Sequence, residues 1–208
     1  MKTAETFWDD AAEKYAKSAI ADEASYRYTL ERTQSYLSAD DKVLEVGCGT
    51  GSTALLLAEH VKHITASDVS GNMIQIGQEK AQTQNVSNIK FVVSDLCDNA
   101  PDNEVYDAVL AHNVLHLLED IPAAIQHISK HLKTDGIFIS KTVCAEGKGL
   151  PFKYRVMKFI LPLLQLFGMA PYVHFISAAE LETIIKTNGF KILESGDFPN
   201  RYIVARKA

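Results

Sequence analysis

The sequence predicts an α/β fold: an open, mostly parallel sheet of seven strands with helices on both faces. An antiparallel C-terminal hairpin closes it, N-terminal helices precede it, and a helical insertion follows the fifth strand. Three observations lead there. Apolar runs such as "KVLEV" (42–46), "HITASD" (63–68) and "YDAVLAH" (106–112) are bounded by turn residues and separated by amphipathic stretches, the pattern of strands buried on both faces. A glycine-rich turn, "GCGTG", joins the first run to a helical segment. The last two strand-like runs are too close together for a crossover helix and so pair antiparallel.

Taken in order, residues 1–40 form a helical cap. Phe7, Ala11, Tyr15 and Ala19 recur every four residues, and a second helix is expected over 24–37. Strand 42–46 is followed by helix 50–60, strand 63–68, helix 70–84 and strand 89–95. Strand 106–112 leads to helix 121–132, with Pro122 in its first turn and Lys130 and His131 at its negative C-terminal end. Gly136 lies just beyond as the expected stop, before strand 136–143. The alternation breaks over 145–176, an insertion opened by Gly147, Gly149 and Pro151. It resumes with helix 177–188, where Ser177 and Glu180 match a capping box and Gly189 ends the run. Strands 190–198 and 201–207 are joined by "PN".

The 208 residues suit one domain, 1–208, with a substantial core. A net charge of −5 supplies no basic field for a polyphosphate backbone, so no nucleic-acid partner is expected. Cys48, Cys97 and Cys144 are widely spaced and form no CxxC, which reads as reduced thiols packed as small residues, with no metal site. The N-terminus carries acidic residues and lacks an apolar core, unlike a signal peptide. The most apolar window, 159–175, is interrupted by Pro162, Gly168 and Pro171, a poor membrane span. A cytoplasmic protein, monomer or homodimer, is expected.

In open α/β sheets ligands bind beyond the carboxyl ends of the strands, where strand order reverses. Gly47, Gly49 and Gly51 fall at such an end. They do not fit the dinucleotide spacing, because Ser52 occupies the third position, nor the triphosphate loop, because no lysine follows Gly51. What is present is E-x-G-x-G-x-G, starting at Glu45. Asp68 ends the second strand, seventeen residues after Gly51, where an acid can accept from ribose hydroxyls. Asp95 ends the third, where an acid can accept from an adenine amine. Each acid alone reads equally well as a helix cap or turn residue; together the three strand ends favour a nucleoside site.

These strings resemble the class I S-adenosylmethionine-dependent methyltransferases that act mostly on small molecules. "VLEVGCGTG" resembles the family's first motif, "ASDVSGNMI" the second, "VVSDLCD" the third, "YDAVLAHNVLHLLED" the fourth and "LKTDGIFIS" the entry to the fifth strand. "FWDDAAEKYAKS" resembles the N-terminal helix of many members, so the resemblance covers nearly the whole chain. It implies S-adenosyl-L-methionine as cofactor and S-adenosyl-L-homocysteine as product. It further implies that Gly47, Cys48, Gly49 and Gly51 surround the methionyl part and that Glu45 orients its ammonium. Asp68 and Val69 would meet the ribose, Met73 the adenine ring, Asp95 the adenine amine and the Leu96 N–H a ring nitrogen. Backbone near His112 would line the methionyl end, and Tyr15 would close over the carboxylate; as a plain core aromatic Tyr15 reads as well.

Methyl transfer from a sulfonium needs proximity and water exclusion more than a catalytic dyad. His112 and His116 follow the fourth strand and are the candidate bases, although packing and loop capping explain them as well. The string Asn/Asp-Pro-Pro-aromatic, typical of amino-methylating nucleic-acid enzymes of this fold, is absent after that strand. Insertion 145–176 is expected to form a lid or acceptor wall for an apolar small molecule, with a dimer contact or core helix as the alternative. Rival functions are a methyltransferase for a protein or lipid-like acceptor and a non-enzymatic S-adenosylmethionine-binding module. Acceptor identity and the atom methylated are not encoded in these motifs.

Overall fold

A computed structural model of the chain describes residues 2–96, 104–144, 160–198 and 200–208. Its seven strands are β1 (Lys42–Val46), β2 (His63–Asp68), β3 (Ile89–Val93), β4 (Tyr106–His112), β5 (Leu132–Thr142), β6 (Phe190–Gly196) and β7 (Arg201–Lys207). They form one sheet in the order β3-β2-β1-β4-β5-β7-β6. The first five are parallel, and β7 inserts antiparallel between β5 and β6. Strand order therefore reverses between β1 and β4, which is where a ligand crevice belongs.

Helices α1 (Ala4–Lys17), α2 (Glu23–Gln34), α3 (Ser52–Leu57), α4 (Gly71–Thr83), α5 (Ile121–His131) and α7 (Ala178–Thr187) accompany the sheet. Residues 160–166 are helical and are called α6. The two-residue period of the strands sorts the core onto two faces. Leu44, Val46, Val109 and Phe138 face α5 and α7, against Ile121, Ile125, Ile128, Leu181 and Ile185. Val43, Ala108, Leu110 and Ile139 face the other way, against Ala54, Leu57 and Ala58. β1, β2, β4 and β7 keep the predicted limits, and the hairpin pairs as expected.

The departures have local causes. The helix after the glycine turn starts at Ser52, because Gly51 is left-handed (φ +70°) and serves as its N-cap, and Ala58–His60 continue it as a 3-10 turn. α5 starts as read, with Asp120 capping the Ala123 N–H at 2.8 Å. It ends at His131, one residue short of the expected limit, and the chain turns extended at Leu132 and enters β5 four residues before the expected start. Gly136 lies inside that strand, where a Cβ would sit 2.9 Å from both Leu132 Cδ2 and the Lys133 carbonyl. β3 ends at Val93 and β6 at Gly196, short of Asp95 and Phe198. Ser177 caps α7 through the Glu180 N–H (3.2 Å), and Gly189, at φ +86°, ends it as expected.

Three contacts hold the N-terminal helices on the sheet. Asp9 accepts from Ser70 Oγ (2.6 Å) and from the Asn72 N–H (3.0 Å), fixing α1 on the start of α4. α2 reaches the far hairpin through Arg32, whose Nε donates to Glu194 Oε1 at 2.9 Å, while the Tyr36 hydroxyl donates to Oε2 at 2.6 Å. Thr33, fully buried, seats α2 over the ends of β4 and β7.

Candidate functional site

Chain reversal after β1 requires left-handed backbone at Gly47 (φ +64°) and Gly49 (φ +55°), which L side chains rarely adopt. At Gly47 space is also missing, since a Cβ would lie 2.5 Å from Val114 Cγ2. The turn is braced from outside. The Cys48 N–H donates to the Ser67 carbonyl (2.9 Å), and the Lys80 ammonium donates to Thr50 Oγ1 (2.8 Å) and Ser52 Oγ (3.2 Å). Asp68 spans the next connection, accepting from the Gly49 N–H (2.8 Å) and the Ser70 N–H (3.0 Å). Burial pushes its pKa up against those two bonds. Each of its oxygens keeps further acceptor capacity.

A cavity of about 780 Å³ opens above the carboxyl ends of the strands, a size suited to a small molecule. It is lined by Tyr15, Glu45, Gly47, Cys48, Gly49, Asp68, Val69, Met73, Asp95, Leu96, His112 and His116, which the fold brings to one place from five separate segments. Gly51 is the one expected residue that does not line it. Its missing side chain makes room for Phe91, whose ring would be 2.5 Å from a Cβ there and equally close to one on Gly77. Gly51 thus serves packing of the turn against β3 and α4. Cys144 lies past β5, and Cys97 falls outside the described residues. Among the described residues no cluster of three or more His, Cys, Asp or Glu could hold a metal ion.

Glu45 is 3% exposed, and its Oε2 has no hydrogen-bond partner among the described residues. The Ala54 N–H donates to this carboxylate, but burial raises its pKa to about 8, with the charge of Asp68 adding to the rise. A buried carboxylate oxygen without a donor is costly and suits a ligand that brings an ammonium. It also repels a phosphate. The group implied by the motifs, with an ammonium, a sulfonium and a nucleoside, fits this donor set. Tyr15 on α1 closes the opposite wall, its Cε1 3.6 Å and its hydroxyl 4.0 Å from a Cβ at Gly49. Burial and the nearby Asp68 and Glu45 charges raise its pKa, so the phenol stays protonated.

On the other side of Gly47, His112 Nε2 lies 3.4 Å from Thr33 Oγ1, which is itself 3.4 Å from the Tyr202 hydroxyl. Burial, reinforced by the charge of Lys141, lowers the His112 pKa to about 4. His116 is also lowered to about 4 by burial, and its buried Nδ1 has no partner among the described residues. Both imidazoles are neutral at pH 7 and can accept a hydrogen bond. The insertion touches this end through the His174 N–H, which donates to the His116 carbonyl at 2.7 Å. None of its described residues, 160–176, lines the cavity, and residues 145–159 lie outside the described segments.

Sequence reasoning missed several lining residues: Trp8 on α1, Ser25 and Tyr26 on α2, Asn113 after β4 and, above all, Lys141 on β5. Only Lys141 carried a usable signal, as a charged residue within an otherwise apolar β-run, "IFISKTV".

Comparison with known proteins agrees with this geometry. Residues 43–136 match the family described as "Methyltransferase domain". The chain is 32% identical over 116 residues to malonyl-[acyl-carrier protein] O-methyltransferase of Bacillus anthracis, covering 55% of this chain and 41% of that protein. It is 26% identical over 174 residues to ubiquinone biosynthesis O-methyltransferase of Rickettsia canadensis (strain McKiel), covering 80% and 70%. It spans about half the length of several such relatives, 41% and 38% for two of them. Among solved structures, magnesium protoporphyrin IX methyltransferase from Synechocystis PCC 6803 with bound SAH superposes with a TM-score of 0.75 over 98% of both chains, at 21% identity. Residues 43–136 thus match a methyltransferase domain, and the chain shares the overall fold of a solved methyltransferase.

Proposed function

We propose that this chain transfers a methyl group from S-adenosyl-L-methionine to a small-molecule acceptor. The observation that carries this reading is the buried Glu45 oxygen, unpaired among the described residues, beside a glycine turn that fits neither phosphate-binding spacing. When bound, the donor would supply an electrophilic methyl on a sulfonium, whose transfer to an acceptor atom would form the new bond as the C–S bond breaks and leave S-adenosyl-L-homocysteine.

The chain's own part is binding, orientation and exclusion of water. Glu45 holds the ammonium, the Gly47–Gly49 backbone approaches the methionyl part, and Asp68 with Val69 holds the ribose. Met73 packs on the adenine, while Asp95 and the Leu96 N–H read its edge. Tyr15 closes the donor side. His112 and His116, both neutral, accept a hydrogen bond or proton from an acceptor hydroxyl. The described part of the insertion reaches this end only through the bond from the His174 N–H to the His116 carbonyl, which braces the loop that carries His116.

Calorimetry tests the donor assignment. S-adenosylhomocysteine should bind and NAD should not, and Asp68→Ala should weaken binding at least ten-fold. Unchanged affinity in that variant would remove the ribose assignment. A lipid-like or protein acceptor is the second reading, favoured by the exposed apolar row Leu163, Leu166, Phe167 and Met169 on the insertion. Co-sedimentation with liposomes would favour it.

A further inference from the structure

Among the described residues Lys141 is the one buried lysine, 8% exposed, and it lines the cavity. Register explains how it comes there. Lys141 pairs with His112 on β4 and with Tyr202 on β7. Alternation puts it on the face of Ile137 and Ile139, the face that also carries Glu45 and His112. Its ammonium makes no hydrogen bond and no close ion pair among the described residues. The charge that favours its protonated form is Asp22, an exposed residue already engaged as the N-cap of α2 through the Ser25 N–H (2.9 Å) and Ser25 Oγ (2.5 Å). His112, its neighbour, is neutral and offers no compensating charge.

A largely buried ammonium with no hydrogen-bond acceptor, and a buried carboxyl oxygen with no donor, each favour a ligand that supplies the missing partner. The cavity holds one of each. They stand two strand spacings apart, about 10 Å across the sheet, with β4 between them. Glu45 belongs to the glycine turn and the donor's ammonium. Lys141 stands on β5, across β4 from Glu45, and the apolar Leu117 and Val143 line the same cavity.

From this arrangement we infer that Lys141 binds an anionic oxygen of the acceptor, so that the acceptor is an organic acid with an apolar body. The inference rests on the methyl-donor reading only in assigning the Glu45 side of the cavity to the donor.

The test is calorimetry on the full chain saturated with S-adenosylhomocysteine, using octanoate and 3-phenylpropionate as probes and their primary amides as neutral matches. Both acids should bind at least ten-fold more tightly than the amides. Lys141→Met should erase that difference, and Lys141→Arg, which keeps the charge, should preserve it. Should Lys141→Met fail to fold, Lys141→Gln is read in its place. Equal binding of acid and amide, no saturable binding of either acid, or a preference that survives loss of the charge would each overturn the inference. S-adenosylhomocysteine is titrated separately into the wild type and the Lys141→Met variant. A loss beyond ten-fold in the variant alone would also overturn the inference, because the ammonium would then serve the donor's carboxylate. Failure to bind the wild type defeats the methyl-donor reading instead, and the acid–amide comparison is then read on the ligand-free chain.

Discussion

At the scale of single residues, the Glu45 carboxyl has a pKa of about 8 in the folded chain, set by burial, against about 4.3 when unfolded. Between those values the folded state holds a proton that the unfolded state has released. Stability therefore falls as pH rises through that window, by an amount on the order of a few kcal/mol. Glu45→Gln should remove this dependence and raise the melting temperature at pH 8, while weakening S-adenosylhomocysteine binding at least ten-fold. In the wild type, binding should tighten as pH approaches 8 and release a proton, which calorimetry in buffers of different ionisation heat would detect. Gly47 is sensitive for a steric reason. Gly47→Ala meets both a left-handed φ of +64° and the Val114 side chain at 2.5 Å, so a loss of about 1–3 kcal/mol is expected in chemical denaturation. The spacing of these glycines was readable in sequence, but the division of labour among them was not. Gly47 and Gly49 line the cavity while Gly51 admits Phe91, and that distinction depends on a β3 residue forty positions away.

At the scale of elements, α1 reaches the site through its seat on α4. Asp9 carries that seat with two hydrogen bonds to the start of α4, and its carboxyl is held below the ordinary range by the Ser70 bond and then by the Asn72 N–H. Asp9→Ala should leave the sheet intact, so hydrogen exchange of β1 and β4 amides should not change. Exchange in α1 should quicken, and S-adenosylhomocysteine affinity should fall several-fold as Tyr15 loses its position beside Gly49. Unaltered α1 exchange would show that other contacts hold the helix. Elements were legible where a local period or cap defined them. Strands β1, β2, β4 and β7 and the Ser177 cap follow from alternation and hydrogen-bonding side chains. The end of α5 was read to within one residue, but the start of β5 was placed at Gly136 rather than Leu132. Gly136 looks like a helix stop, whereas close approach of Leu132 and the Asp107 and Lys133 carbonyls is what excludes a side chain there.

Across the whole molecule, the charged forms of His112 and His116 are disfavoured, with both pKa values near 4 against about 6.5 unfolded. Their contribution to stability is present above about pH 6.5 and is lost as pH falls toward 4. Glu45 acts in the opposite direction up to about pH 8. From these three groups, stability of the ligand-free chain should rise to a maximum near pH 6.5 and decline toward pH 8. Saturating S-adenosylhomocysteine should flatten the descending limb alone. Melting temperatures from pH 4 to 9, with and without ligand, would check this; a descending limb that persists with ligand bound would separate it from Glu45.

The sequence by itself determined the order and kind of the elements, the failed phosphate-binding spacings, and the acids that follow successive strands. Each of these depends on neighbours a few residues apart, which alternation, helical period and turn chemistry encode directly. Only the tertiary structure decided that strand order reverses between β1 and β4, that α2 covers the ends of β4 and β7, and that Lys141 is buried on the same face as Glu45 and His112. Those are consequences of pairing and register between segments far apart in the chain. A lysine in "IFISKTV" is an ordinary surface candidate until β4 and β7 flank it and the helices close over it.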